Sequence, residues 1–223
     1  MAEFNKIIPE ILKSEGGYTL NANDAGNYQC RVGVAKWDND KKKYVCDNGK
    51  NAHLTGTNFG ISAPTLAGWL GRPATDKEMK NLTQQQATEI YKKMFWDKIK
   101  GDEIQDQKKA DILVDAYINQ TGWVKSMLSD TLNISKDHIK IPLSDDIIDK
   151  INKKSNFVNS FLKQRKEKYQ KRSEKPGQSQ FLRGWLNRLK KFEKQKPPIV
   201  NAITVILILG FMSTVIYLTT QKK

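Results

Sequence analysis

Residues 4–18, FNKIIPEILKSEGGY, decide what kind of fold this chain can build. Phe4, Ile7, Ile8, Ile11 and Leu12 recur at the spacing that lines one side of an α-helix. Pro9 stands near enough to the start of that helix to be either tolerated or the site of a kink. Gly16-Gly17 ends it, because glycine adopts the left-handed backbone that closes a last turn. Glu15 is thereby left at the helix's C-terminal end. There the macrodipole disfavours an anion and pushes a carboxyl pKa upward, the direction a proton donor needs.

The same helical period continues outward from this stretch. Thr83-Gln84-Gln85-Gln86 is a capping-box pattern ahead of Ala87, Ile90, Tyr91, Met94 and Phe95. Ile112, Leu113, Ala116 and Tyr117 form a third stripe, closed near Gly122. Ser144 and Ser155 read as N-caps of two further helices, and Phe181, Leu182, Trp185, Leu186 and Leu189 make a last one after Pro176-Gly177. The expected fold is mainly α. Tyr28 to Cys46 is the exception: β-favouring runs flank Asp38-Asn39-Asp40, which is turn chemistry, and predict a hairpin. Cys30 and Cys46 are equally far from Asp38, so a hairpin turning there brings them close, as a disulfide in an oxidising compartment or as two thiols in the cytoplasm.

With 223 residues the chain has room for one sizeable domain and appendages. Its net charge of +14 is uneven. Residues 1–150 hold 21 basic and 21 acidic side chains, whereas 151–196 hold 15 basic ones against Glu167, Glu174 and Glu193. This basic stretch reads either as a solvated helical face or as a surface for anionic wall polymers and lipid headgroups. No nucleic-acid-binding motif accompanies it, so nucleic acid is not an expected partner.

Ile199 to Thr220 carries no charged residue and, as a helix, would span about 33 Å, close to the hydrocarbon thickness of a bilayer. It predicts a single transmembrane helix behind the Pro197-Pro198 break. The N-terminal residues lack the basic and apolar regions of a cleavable signal peptide, so the span is expected to act as a tail anchor in the inner membrane. Arg188, Lys190, Lys191, Lys194 and Lys196 outweigh Lys222 and Lys223, a bias that puts the soluble part in the cytoplasm.

His53 and His138 are the only histidines, and neither sits in a nucleophile-activating or zinc-binding motif. No phosphate-binding loop is present, and neither metal nor cofactor is expected. Acid–base work therefore falls to carboxylates. Glu15-Gly16-Gly17-Tyr18, Asn23-Asp24-Ala25-Gly26 and Thr57-Asn58-Phe59-Gly60-Ile61-Ser62 together resemble the signature of the glycoside hydrolase family 108 muramidases of bacteria and phages. Residues 66–104 resemble the stretch that follows it, and Asp115 to Gly122 resembles the family's Asp-x-x-x-Asn-x-Gly helix. Residues 161–192 resemble the peptidoglycan-binding module that often comes next.

That resemblance implies a lysozyme-like helical domain over residues 1–150 with a hairpin inserted at 28–56, a basic peptidoglycan-binding-like module at 151–196, and the membrane tail at 197–223. It implies Glu15 as proton donor to the MurNAc-β-1,4-GlcNAc bond of peptidoglycan, with Asp24 as a second acidic group and Thr57 as a polar group near the cleft. Tyr18 and Asn58, inside the matched motif, and Asn119 and Gln120, on the third stripe, are the expected substrate contacts. Two departures stand out: Asn27 replaces a glycine, and the hairpin separates the two halves of the signature.

Three functions fit these residues. The first is a membrane-anchored muramidase in lysis, wall remodelling, or service to a secretion or injection machine. The second is a peptidoglycan-binding scaffold without activity, and the third a lytic transglycosylase, which needs one acid and no water-activating base.

Overall fold

The computed structural model describes residues 1–14, 16–31 and 35–193. Helix α1 (Phe4–Ser14) buries Phe4, Ile7, Ile8 and Ile11 and ends at Ser14, ahead of the glycine pair, and Gly17 does not take the left-handed backbone expected of a closing glycine. Among the described residues six short strands follow: β1 (Tyr28–Gln29), β2 (Lys36–Asp38), β3 (Lys43–Val45), β4 (His53–Leu54), β5 (Thr57–Asn58) and β6 (Ile61–Ser62). They pair antiparallel as β1 with β4, β2 with β3 and β5 with β6. The rest is helical: α2 (Ala63–Leu70), α3 (Asp76–Lys80), α4 (Gln84–Tyr91), α5 (Gln107–Asn119), α6 (Val124–Leu132), α7 (Asp145–Lys153), α8 (Phe157–Ser173) and α9 (Leu182–Leu189). The protein is thus mainly helical with small sheets, as the hydrophobic periodicity requires.

Local chemistry sets the helix starts. Thr83 and Gln86 form the expected capping box at α4, and Thr75 with Glu78 repeats the device at α3. Ser62 and Asp106 cap α2 and α5 through their side-chain oxygens. Ser144 precedes α7 as expected. Ser155 does not hold the corresponding place at α8: Asn156 does, without a capping bond from its side chain.

Helix α5 is the axis of the core. Ile112, Leu113, Val114 and Ala116 are all buried, so more than one face of this helix is covered. Lys109 is buried too, and its ammonium donates to the carbonyls of Ile151 (2.9 Å) and Asn152 (2.8 Å), closing the end of α7. Residues 151–193 share this core. Phe157, Phe161, Leu162 and Tyr169 of α8 and Leu189 of α9 belong to the same hydrophobic cluster as α1 and α5, and α8 packs on α5 and α6.

Among these apolar side chains lies Arg165, fully buried. Its Nη2 meets Asp115 Oδ2 at 2.7 Å, its Nε donates to Gln120 Oε1 at 2.6 Å, and its Nη1 donates to the Ile112 carbonyl at 3.4 Å. Asp115 Oδ1 also receives Lys191 Nζ at 3.1 Å. A buried guanidinium persists only when its fork is matched in this way.

Among the described residues no helix is long and apolar enough to cross a membrane. The predicted span, Ile199 to Thr220, lies outside the described residues, as does the rest of the tail from 194.

Candidate active site

The site begins with a question of chain path: whether the signature's two halves meet across the hairpin that separates them. They do. Thr19 N donates to the Thr57 carbonyl and Thr57 N to the Thr19 carbonyl, both at 2.9 Å. The residue after Tyr18 thus pairs with the first residue of β5. Asn27, in the place of the signature glycine, contributes to this junction. Its carbonyl accepts from both Thr55 N and Gly56 N at 2.9 Å, and its buried side-chain oxygen accepts from Asn21 N at 3.2 Å. Gly56 is needed here for two reasons. Its φ of +93° suits glycine, and an added Cβ would lie 2.6 Å from the Thr19 carbonyl oxygen and 3.0 Å from the Tyr18 ring.

Tyr18 is half-buried at this junction, its hydroxyl donating to the Thr55 carbonyl at 3.4 Å and its ring 5.8 Å from the Lys80 ammonium. Asp24 is exposed and caps the 3-10 turn Ala25–Asn27, accepting from Gly26 N at 2.9 Å. Thr57 is half-buried in β5 opposite Ser62. Asn58 is buried, and its amide donates to the carbonyls of Met79 (2.9 Å) and Lys80 (3.2 Å), tying the β5–β6 hairpin to the end of α3. That hairpin turns on Phe59 and Gly60, both with positive φ as a type I′ turn demands. Tyr18, Asp24 and Thr57 therefore belong to one knot of backbone hydrogen bonds. Glu15, the expected proton donor, lies outside the described residues, between the end of α1 and this knot in the chain.

Asn119 and Gln120 belong elsewhere. Asn119 is exposed and donates to the Asp115 carbonyl within its own helix at 2.9 Å, while Gln120 is buried and occupied by Arg165. Trp123 is half-buried, with the Arg172 guanidinium 5.6 Å from its ring.

The inserted hairpin forms, with a register that corrects the sequence expectation. Lys36 pairs with Val45, Trp37 with Tyr44 and Asp38 with Lys43, so the turn is centred beyond Asp38. Asp38 ends β2, and its carboxylate accepts from Asp40 N and Lys41 N at 3.0 Å, which makes it the first residue of the turn instead of the middle. Cys30 and Cys46 are joined in a disulfide, with their Cα atoms 5.7 Å apart. Tyr44 leans on the Asp24 loop, its hydroxyl donating to the Asn23 carbonyl at 3.3 Å. Burial first, and then the negative charge of Asp24, hold the Tyr44 phenol above its usual pKa.

One carboxyl that the sequence did not single out is Asp111. Burial pushes it up to about 6, and nearby Glu10 adds to the rise. It lines a cleft of about 590 Å³ with Ile7, Glu10, Lys109, Lys191 and Phe192, and none of the signature residues shares that lining. Among the described residues no group of three His, Cys, Asp or Glu side chains is placed to hold a metal ion.

Comparison with known proteins agrees with this geometry. The family model described as Glycosyl hydrolase 108 matches residues 8–121, from α1 through the junction to the end of α5. No curated protein matches. Among solved structures, SagA of Brucella abortus has the same fold, with a TM-score of 0.62 at 23% identity over 85% of this chain and 90% of that one.

Proposed function

The chain belongs to the glycosyl hydrolase 108 family and is a glycoside hydrolase; on that premise we propose that it cleaves the MurNAc-β-1,4-GlcNAc bond of peptidoglycan with Glu15 as general acid. One observation carries the proposal: Thr19 and Thr57 pair across the insertion, so the two halves of the family's signature meet in this chain although the 29 residues 28–56 of the inserted hairpin lie between them. Breaking a glycosidic bond passes through an oxocarbenium-like state, and the least it requires is one protonated carboxyl at the leaving oxygen. Glu15, which follows the last residue of α1 in the chain, is the proposed source of that proton. Asp24, exposed on the neighbouring loop, is the proposed partner that stabilises positive charge or orients water. Digestion of purified sacculi followed by product analysis tests the reading. A reducing MurNAc end is expected; a 1,6-anhydro end assigns a lytic transglycosylase instead, and no product leaves a binding protein.

We further propose that Ile199 to Thr220 tethers the enzyme to the membrane, for lysis or local wall remodelling. Deleting residues 199–223 is expected to move the protein from the membrane pellet to the supernatant with cleavage of sacculi retained; a truncated form still in the pellet would refute the tether. The side on which the enzyme works follows from two opposed features. The basic flank of the span favours the cytoplasm. The Cys30–Cys46 disulfide favours an oxidising compartment, which is also where the wall lies. Protease digestion of the soluble part in intact spheroplasts is the deciding measurement.

A further inference from the structure

The hairpin inserted into the signature presents a row of aromatic rings. Trp37 on β2 and Tyr44 on β3 are cross-strand partners, with ring centroids 5.3 Å apart and nearly perpendicular planes. Tyr44 in turn packs on Tyr28 of β1 at 4.4 Å. The row is fastened at its inner end to the loop that carries Asp24. Tyr28 donates its hydroxyl hydrogen to the Ala22 carbonyl at 3.1 Å, and Tyr44 donates to the Asn23 carbonyl at 3.3 Å. At its outer end Trp37 remains 52% exposed. The stem below is held by the β1–β4 pairing and by the disulfide, so the row is a supported edge.

An exposed tryptophan by itself means little, since single apolar side chains are common on surfaces. This one is different in its continuity: three rings in contact run from open solvent to the backbone on either side of Asn23, next to an acidic side chain of the signature. Pyranose rings are amphipathic, with hydroxyl and acetamido groups at the rim and C–H bonds on the faces. Their faces suit a flat, electron-rich surface whose position is fixed before binding, because little entropy is then lost. The stretch that carries Trp37 lies inside the insertion, so the family's signature does not account for it.

We propose that the inserted hairpin is a wall of the substrate cleft, on which Trp37 stacks against a sugar of the glycan strand while Tyr44 and Tyr28 hold that stacking surface in register with Asp24. This rests on the reading that the signature residues cleave peptidoglycan, and adds to it a subsite contributed by the insertion. Trp37 is a substrate-binding residue in this arrangement, and Tyr44 a positioning one.

The test uses the full chain with Glu15→Gln, so that nothing turns over, titrated with a soluble β-1,4-linked N-acetylglucosamine oligomer. The oligomer is expected to change the intrinsic tryptophan fluorescence and to protect one tryptophan from iodide quenching. Trp37→Ala in that background should weaken binding about tenfold and remove the protection, Trp37→Phe should restore most of the affinity, and Trp69→Ala, which alters an exposed tryptophan on α2, should change nothing. In the active protein Trp37→Ala should raise KM for sacculi about tenfold with kcat unchanged, the mark of lost ground-state and transition-state binding together. If wild type cleaves sacculi and both Trp37 variants bind and cleave as it does, the hairpin subsite is wrong and the glycosidase reading stands. If nothing is cleaved yet binding still depends on Trp37, the glycosidase reading falls and the hairpin remains a glycan-binding element. Should Trp37→Ala fail to fold, the iodide protection and the Trp37→Phe titration decide.

Discussion

Glu15→Gln is expected to leave purified sacculi uncut while the protein melts where the wild type does. The amide keeps the size of the side chain and loses the transferable proton. General acid catalysis contributes about 10²–10⁴-fold to such reactions, and without it the sugar oxygen must leave as an alkoxide. Release of soluble muropeptides should therefore drop at least about a hundredfold, at or below the detection limit of a turbidity or reducing-end assay. Stability should hardly move, because the substitution preserves the size of the side chain, and a change of about 0.5 kcal/mol or less is expected. A variant with wild-type activity would remove Glu15 from the mechanism. A variant that melts far below the wild type would show that the side chain has a structural role and that its loss of activity says little about chemistry.

Arg165→Met is expected to cause the largest loss of stability of any single change outside the apolar core. The substitution keeps much of the volume but leaves Asp115 and Gln120, both buried, without the fork that satisfies them. Breaking a buried pair by removing one partner costs about 3–5 kcal/mol. Lys191, which also reaches Asp115, should hold the cost near the lower end of that range. For a domain of this size a loss of about 3 kcal/mol lowers Tm by roughly 6–12 °C. Arg165→Lys should recover only part, since one ammonium cannot serve the carboxylate, the amide and the Ile112 carbonyl together. Adding Asp115→Leu to Arg165→Met should restore stability relative to the single variant, because the uncompensated buried charge is then gone. Thermal melts followed by circular dichroism measure all three. A single Arg165→Met variant melting with the wild type would mean that the pair carries no net energy.

These two residues also mark how far the sequence could be read. Helix α1 was legible because its apolar stripe lies within nine consecutive residues, and α4 because Thr83 and Gln86 form their capping bonds locally. The hairpin was legible as a pair of β-favouring runs. Its register was not, because Asp38 can sit in a turn or start one, and only the bonds to Asp40 and Lys41 decide. The pairing of Thr19 with Thr57 lies across the insertion and leaves no periodic trace. Asn58 and Gln120, read as substrate contacts from their place in motifs, are held by partners far away in sequence: the carbonyls of Met79 and Lys80, and Arg165. Arg165 itself looks like one more cation in a basic helix. Only its position between Phe161 and Tyr169, one turn from each, hints that it lies on the buried side.

The ion pair at Asp115 has a mechanical consequence. Lys191 crosses to that carboxylate and Glu193 to Lys166, so the last described residues are pinned to the body at two points. Any pull exerted through the chain beyond them is delivered to the side of α8 and the middle of α5. Such a load enters through α5 and α8, elements that lie far along the chain from the loop of Asp24.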